Sequence, residues 1–482
     1  MHPLAKLDHR YLWHPFTQMR DWLKHEPVLI VGGQGARLRD AYGREYLDAN
    51  SSIWTNLHGH NHPQINAAIR RQLNKIAHSS ALGFANEPAS LLGEELVAAA
   101  PSPLRKVFYS DDGSTAMEAA LKLAYEYARR TGRSRKPRFL ALNGAYHGDT
   151  IGAVSLGHVD LFHKAYAGLL FKTDKVMAPY CYRCPFNRAR PDRADARDYR
   201  KCSWECLDVL ERRFTAQKRC GNPYAGFVFE PLIQGAAGMI PQPAGWLRRA
   251  AEIARGHGAL LIADEVMTGF GRTSPRVGGE HSREFGRPGK SVRTKPLTLP
   301  LFACQQEGVR PDFMAVAKGL TSGYLPMAAT LTTQEVFDAF LGEYEDFKTF
   351  FHGHSFTANQ LGAAAALASL EILHTTISLL ARWRLAKTLR DELKTLWRYP
   401  HVGDIRQVGL IVGIELVRDW RTREPFDLRD RAGIRVCEAM ARHGVLSRPI
   451  GNVIVLMPPY CTTPAEACRM VAVAGQAIAH PA

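Results

Sequence analysis

From about residue 60 to residue 340, helical patterns alternate with short runs rich in β-formers. The clearest runs are KVFYS, RFLAL, AGFVFEP, ALLIADEV and FMAVAKG, each bounded by turn residues or leading into a helix. Runs so continuously apolar predict strands of a mostly parallel sheet flanked by helices on both faces, an α/β architecture. Upstream, ARLRDAYGREYLD alternates about Gly43 and predicts a hairpin. From about residue 345 the pattern changes. Two long helical patterns, TANQLGAAAALASLEILHT and LLARWRLAKTLRDELKTLW, precede VGDIRQVGLIVGIELV, a further helix RAGIRVCEAMARHG and the strand NVIVLMPP. This order predicts a smaller α+β unit. The chain therefore divides into an N-terminal segment 1–60 that joins the small domain, a large domain 61–344 and a C-terminal small domain 345–482. Two stretches interrupt the large domain: 181–206, rich in Cys and Arg, and 273–297, rich in Gly, Pro and charge, which predicts a surface excursion.

The length, 482 residues with 46% hydrophobic, is ample for a core of two or three domains. The start carries no apolar signal-peptide core. The longest apolar run, LGAAAALASLEILHTTISLL, is broken by Glu371 and His374 and is too short to span a bilayer. These features predict a cytoplasmic protein without a membrane partner. The net charge of +16 raises the question of nucleic acid. Residues 182–201 carry seven Lys/Arg against three Asp, and residues 271–300 carry seven against two Glu, so the two interruptions hold more than half of the excess. The remainder is mildly basic, with no stripe of cations interleaved with aromatics, and no nucleic-acid partner is expected. Nine cysteines, an odd count in a long chain, argue against a disulfide framework.

In an α/β sheet, ligands collect beyond the carboxyl ends of the strands. Three chemically able residues fall there: Glu230 after AGFVF, Asp264 after ALLIA and Lys318 after FMAVA. Taken singly, Lys318 reads as a side chain whose head reaches water, and Asp264 as a helix cap or ion-pair partner. Together they suggest more. A partly buried lysine loses its charge readily and becomes a nucleophile toward carbonyls. Pyridoxal 5'-phosphate (PLP) needs such a lysine, and an acid at its pyridine nitrogen. FYSDDGSTAMEAALKLAYEYAR places Gly113 and Ser114 between a strand and a helix, where backbone N–H groups and a hydroxyl suit a phosphate. A capping box through Ser114 and Glu118 is the alternative reading there. In NGAYHGDTIGAVSLG, Tyr146 and His147 stand in a Gly-bounded loop at a strand end, where an aromatic ring can stack on a flat heterocycle or cover the core edge.

Together these segments resemble the class III (ω-type) PLP-dependent aminotransferases of fold type I, over nearly the whole chain. The most specific stretches are LLIADEVMTGFGRT and PDFMAVAKGLTSGYLPMAA, with YHGDT and EPLIQGAAGM upstream. The resemblance implies that Lys318 bonds the cofactor and then moves a proton between substrate and cofactor. It implies Asp264 at the pyridine nitrogen, Val266 and Tyr146 on the two ring faces, and Gly113 and Ser114 at the phosphate. It also implies a homodimer in which FHGHSFTANQLGAAAA reaches the partner subunit's phosphate through His354 and Ser355, with Gly353 near the substrate. Within the family, LWHPFTQM, NSSIWTNLHGHNHP and LSRPIGNVIVLMPPY resemble the members that aminate 7-keto-8-aminopelargonate in biotin biosynthesis. That likeness implies Arg448 as the partner of the keto-acid's carboxylate, with Phe16, Ile53 and Trp54 beside the substrate. Phe16 and Ile53 stand where members that use S-adenosylmethionine usually carry Tyr and Trp, so the amino donor is S-adenosylmethionine or lysine. Another ω-aminotransferase activity, on a diamine, a β-amino acid or 4-aminobutyrate, is the nearer alternative, and a non-catalytic binding protein of the same fold the remoter one.

Cys181, Cys184, Cys202 and Cys206 form C-x2-C and C-x3-C pairs. Four thiolates at such spacing suit tetrahedral zinc, and the surrounding arginines predict lowered thiol pKa values. The other reading is an insertion with free thiols.

Overall fold

A computed structural model describes residues 1–273 and 300–480. The excursion expected at 273–297 therefore lies, from residue 274 on, outside the described residues. The largest sheet has seven strands: β1 (Leu104–Ser110), β2 (Phe139–Leu142), β3 (Asp174–Val176), β4 (Gly226–Phe229), β5 (Leu260–Asp264), β6 (Phe313–Val316) and β7 (Ala328–Thr333). Their order is β1-β7-β6-β5-β4-β2-β3, and only β7 runs against its neighbours.

Every residue of β2, β4, β5 and β6 is buried. Alternation explains why such strands carry no polar face. Phe139, Ala141, Val228, Leu260 and Ile262 pack on one side against α1 (Gly113–Arg130), through Ala116, Met117, Ala120 and Ala124. Leu140, Leu142, Phe227, Phe229, Leu261 and Ala263 pack on the other, against α2 (Glu205–Arg219) and α3 (Trp246–Gly256). Each fully buried Leu, Ile or Phe contributes about 1.5–3 kcal/mol. With both faces dry, the strand ends are where polar groups can stand.

The hairpin expected about Gly43 forms: Arg37–Asp40 pairs antiparallel with Glu45–Asp48, and Gly43 sits at φ +80°. Glu45–Asp48 also pairs parallel with Val445–Leu446, which ties the N-terminal region to the C-terminal one. There, Val402–Val408 and Ile411–Asp419 form an antiparallel pair extended by Val453–Leu456 and Pro449–Ile450. Helices Gln360–Leu373 and Thr376–Leu393 bury apolar stripes in the largest core. Among the described residues no single helix is long and apolar enough to cross a membrane.

The Cys- and Arg-rich interruption folds against the C-terminal sheet. Arg183 pairs with Glu415 at 2.6 Å, Arg193 Nε donates to the Trp397 carbonyl at 2.7 Å, and Arg197 donates to the Gln407 carbonyl at 2.8 Å. Part of the local positive charge is thus used within the molecule. The zinc expectation at Cys181, Cys184, Cys202 and Cys206 gains no support from the structure. Among the described residues no group of three or more His, Cys, Asp or Glu is arranged to hold a metal ion. Nor are the thiols of Cys181, Cys184 and Cys206 activated. Burial pushes Cys181 up to about 12 and Cys206 up to about 11, against the opposing pull of Arg200 on Cys181 and of Trp246 on Cys206. Desolvation outweighs the arginines.

Candidate active site

The parallel register of β5 and β6 sets Asp264 opposite Ala315, so Lys318 emerges just beyond the same sheet edge. Glu230 follows β4, the neighbour of β5 on its other side. All three line one cavity of about 460 Å³, together with Gly113, Ser114, Tyr146, His147 and Val266. Lys318 has φ 43°, an unusual conformation for a residue with a Cβ, and its Nζ lies 4.8 Å from the centroid of the Trp54 ring. Burial lowers the lysine's pKa, and Asp264 and Glu230 oppose that shift. The balance favours a free amine more than in water, as a nucleophile and base requires.

Asp264 is 5% exposed and has two partners. Its Oδ1 accepts the Val266 N–H at 3.0 Å, and its Oδ2 meets His147 Nδ1 at 2.8 Å. The other ring nitrogen of His147 is buried with no partner among the described residues. A carboxylate held this firmly is suited to fix a proton on a heterocyclic nitrogen. Glu230 accepts the Tyr146 N–H at 3.1 Å and the Gly235 N–H at 2.7 Å. Burial nevertheless raises its pKa to about 7, with His147 opposing and Asp264 reinforcing the shift.

The phosphate cradle differs from expectation in one respect. The capping box at the start of α1 is made by Asp112 and Thr115, each side chain accepting the other's backbone N–H at 3.0 Å. Ser114 takes no part in it. Its Oγ accepts the Asp149 N–H at 3.1 Å, which leaves the hydroxyl proton available to an anion. Glu118 instead accepts the Gly152 and Ala153 N–H groups. Glycine is required twice. A Cβ on Gly113 would come 2.8 Å from Val266 Cγ1, and one on Gly148, at φ +122°, would strike Ser114. The helix N-terminus, a free hydroxyl, a fixed carboxylate and a buried amine together fit PLP.

A second cavity, about 630 Å³, shares Trp54, Tyr146, Ala236 and Lys318 with the first and runs out to Phe16, Ile53, Arg431 and Arg448. Arg448 Nη2 donates to the Phe16 carbonyl at 2.9 Å. Ile53 and Trp54 belong to an unusual turn: residues 51–54 all have positive φ, from 46° to 67°, with no glycine among them. Ser51 Oγ donates to the Met457 carbonyl at 2.6 Å and Ser52 Oγ to Asp48 Oδ2 at 3.1 Å, and these bonds offset the backbone cost. Gly353, His354 and Ser355 line neither cavity. His354 approaches only the rim, 3.9 Å from Asp111, and the Ser355 carbonyl faces His78 Nε2 at 2.8 Å. Sequence reasoning passed over Asp149, His163 and Arg431. Asp149 lay within the quoted YHGDT, but its bond from Tyr146, 2.6 Å, is visible only in the fold.

The sequence profile of the family described as aminotransferase class-III matches residues 19–281 and 298–478. The chain belongs to the class III aminotransferases. It is a PLP-dependent transaminase of fold type I. The adenosylmethionine-8-amino-7-oxononanoate aminotransferase of Geobacter sulfurreducens is 47% identical over 96% of this chain and 94% of the relative. That of Aquifex aeolicus is 43% identical over 95% and 92%. Among solved structures, the same enzyme from Methanocaldococcus jannaschii superposes with a TM-score of 0.87 at 38% identity, covering 99% of each chain. The ω-transaminase of Pseudomonas jessenii in complex with PMP gives 0.86 at 26% identity, covering 99% of this chain and 98% of its own.

Proposed function

We propose that this aminotransferase carries an amino group from S-adenosylmethionine to the keto carbon of 8-amino-7-oxononanoate (7-keto-8-aminopelargonate), giving 7,8-diaminononanoate for biotin synthesis. The observation that carries the reading is the joined cavity: it leads from Lys318 along apolar walls to a guanidinium, Arg448. A long keto-acid needs a reactive end, an apolar channel and a carboxylate partner, and an arginine fork grips a carboxylate in two places. Relatives at 41–47% identity over nearly the full chain carry that enzyme's name, which supports the same reading.

When bound, PLP supplies an aldehyde that takes up the amino group and a ring that accepts the electron pair freed at the donor carbon. The chain's own groups do the rest. Lys318 Nζ removes the proton from the carbon bearing the amine and returns one to the product carbon. Asp264, oriented by His147, holds a proton on the pyridine nitrogen. Ser114 and the N–H groups at the start of α1 hold the phosphate. Val266 and Tyr146 fix the plane of the ring, and Trp54 shields Lys318 from water. We assign Gly353, His354 and Ser355 to the partner subunit's site in a homodimer. Their distance from this chain's cavities supports that, as does the exposed apolar surface nearby, including Phe351 and Phe356 at 74% and 60% exposed and Phe84 at 72%.

A second donor reading rests on Phe16. Its ring packs edge-on against Phe162 with centroids 5.2 Å apart and brings no hydroxyl to the cavity, which makes lysine the rival donor. The test is turnover of 8-amino-7-oxononanoate with S-adenosylmethionine and lysine offered separately. Diaminononanoate formed with either donor is the expected result. Turnover of a diamine or 4-aminobutyrate, with none of the keto-acid, overturns the proposal. Light scattering of the holoenzyme should give twice the chain mass.

A further inference from the structure

Beside the reacting end of the cavity, three side chains have hydrogen bonds that run in a single direction. His163 is 2% exposed. Its Nδ1 accepts the Val159 N–H at 3.1 Å, so the ring proton sits on Nε2. Nε2 faces Asp149 Oδ1 at 3.2 Å. The other oxygen, Asp149 Oδ2, accepts the Tyr146 hydroxyl at 2.6 Å. The rings of His163 and Tyr146 lie nearly parallel, 12° apart with centroids at 6.0 Å. Phe162 flanks His163 edge-on at 6.0 Å and lines the outer cavity.

A phenol has one proton to give. Tyr146 gives its proton to Asp149, so its oxygen offers the cavity only lone pairs. An acceptor oxygen backed by a carboxylate favours a donor, and a cationic donor most. The keto-acid of the proposed reaction carries an ammonium on the carbon next to its reacting carbonyl. We propose that His163 is a positioning residue: by holding Asp149 it commits the Tyr146 proton, and so makes the reacting end of the cavity selective for a ligand with an ammonium beside the reacting carbon. Without His163, Asp149 is free to turn, and Tyr146 can point its proton into the cavity, where it repels the ammonium. This inference rests on 8-amino-7-oxononanoate being the substrate.

The test uses the holoenzyme with two acceptors, 8-amino-7-oxononanoate and 7-oxononanoate, which lacks the amine. His163→Phe keeps a flat ring against Tyr146 and Phe162 but removes the N–H. The expected result is a rise of about tenfold in KM for the amino-keto acid, a fall in kcat of less than threefold, and an unchanged KM for 7-oxononanoate. His163→Gln returns an N–H near the Nε2 position and should restore most of the loss. Should His163→Phe fail to fold, Asp149→Asn keeps the shape, removes the charge and should show the same selective rise. The PLP dissociation constant, read by quenching of tryptophan fluorescence in the apo-protein, should stay within twofold in each variant. An equal rise in KM for both acceptors, or a lost PLP affinity, means that His163 only packs the turn, and the proposal falls. If the wild type turns over the amino-keto acid and His163→Phe leaves its KM unchanged, the proposal alone falls. If the wild type does not turn it over, the substrate reading falls first and takes the proposal with it.

Discussion

At the carboxyl edge of the central sheet, Asp264 and Glu230 are each 5% exposed, and every polar atom of their carboxylates has a partner. Across the joined cavities, Phe16 and Ile53 are 59% and 46% exposed and stand on backbone with positive φ. One wall is laid down by neighbouring strands of a single sheet. The other is assembled from segments more than 400 residues apart, joined by single contacts such as Arg448 to the Phe16 carbonyl. The difference separates two tasks. On the proposed function, the rigid edge holds the groups that move protons, and these demand fixed geometry. On the same proposal, the outer wall holds the groups that choose substrates, and loops can change there without disturbing the sheet. Changes at the edge should therefore lower kcat, and changes at the outer wall should move KM.

The largest expected effect is at the edge. Lys318→Ala should lower kcat by about 10⁴-fold or more, since both the covalent partner and the proton carrier are lost. Thermal melting of the apo-protein should change little, because Lys318 stands at the cavity wall and its recorded contact is the Trp54 ring. Single-turnover mixing with the amine donor checks this. Borohydride reduction followed by peptide mapping should place the cofactor on residue 318 in the wild type alone. Retained turnover would remove the basis for the contrast between the two walls.

Glu230 sharpens the edge side by a pH slope. Its folded pKa, about 7, is above the ordinary 4.5. The folded state therefore binds the extra proton between these values. Its contribution to stability is complete below about 4.5 and is lost as pH rises through 7. The span corresponds to about 3 kcal/mol. Glu230→Gln should flatten that part of the curve, so the stability difference between wild type and variant should shift against the wild type from pH 5 to pH 8. Chemical denaturation of the apo-protein at both pH values measures it. A pH-independent difference would show that Glu230 is charged throughout.

The contrast also explains what could be read in advance. Glu230, Asp264 and Lys318 each end a short apolar run, so their common edge follows from strand periodicity. The bond from His147 to Asp264 crosses 117 positions, and no local pattern announces it. The left-handed turn at 51–54 was hidden because it uses Ser, Ile and Trp where glycine is the usual sign. The thiols of the interruption were misjudged because charge is visible in a sequence, whereas burial, which dominates there, is not. The alternative reading, a capping box through Ser114, starts two residues too late for a related reason. Ser114 and Asp112 are both good caps, and only the backbone direction decides between them.

On the outer wall, Arg448→Ala should raise KM for the keto-acid about 10- to 100-fold, the value of one charge-assisted hydrogen-bond pair, with kcat within threefold. The amine half-reaction, followed by the bleaching of the cofactor's absorbance, should be less affected when the donor is lysine. A fall in kcat with an unchanged KM would put Arg448 on the catalytic side and blur the division.

The smallest effect tests the donor. Phe16 lines the outer cavity, and its ring already has an edge contact to Phe162 that a para hydroxyl leaves in place. Phe16→Tyr adds one hydrogen-bonding group at an exposed position, worth about 0.5–1.5 kcal/mol. The expected gain in kcat/KM for S-adenosylmethionine is therefore about 2- to 10-fold, with lysine changed less than twofold. The gain should lie in KM, because the hydroxyl is remote from the sheet edge where protons move. Equal gains for both donors would mean that the hydroxyl acts on the shared acceptor end. A change confined to kcat would mean that position 16 communicates with Lys318, and the two walls could no longer be treated as separate.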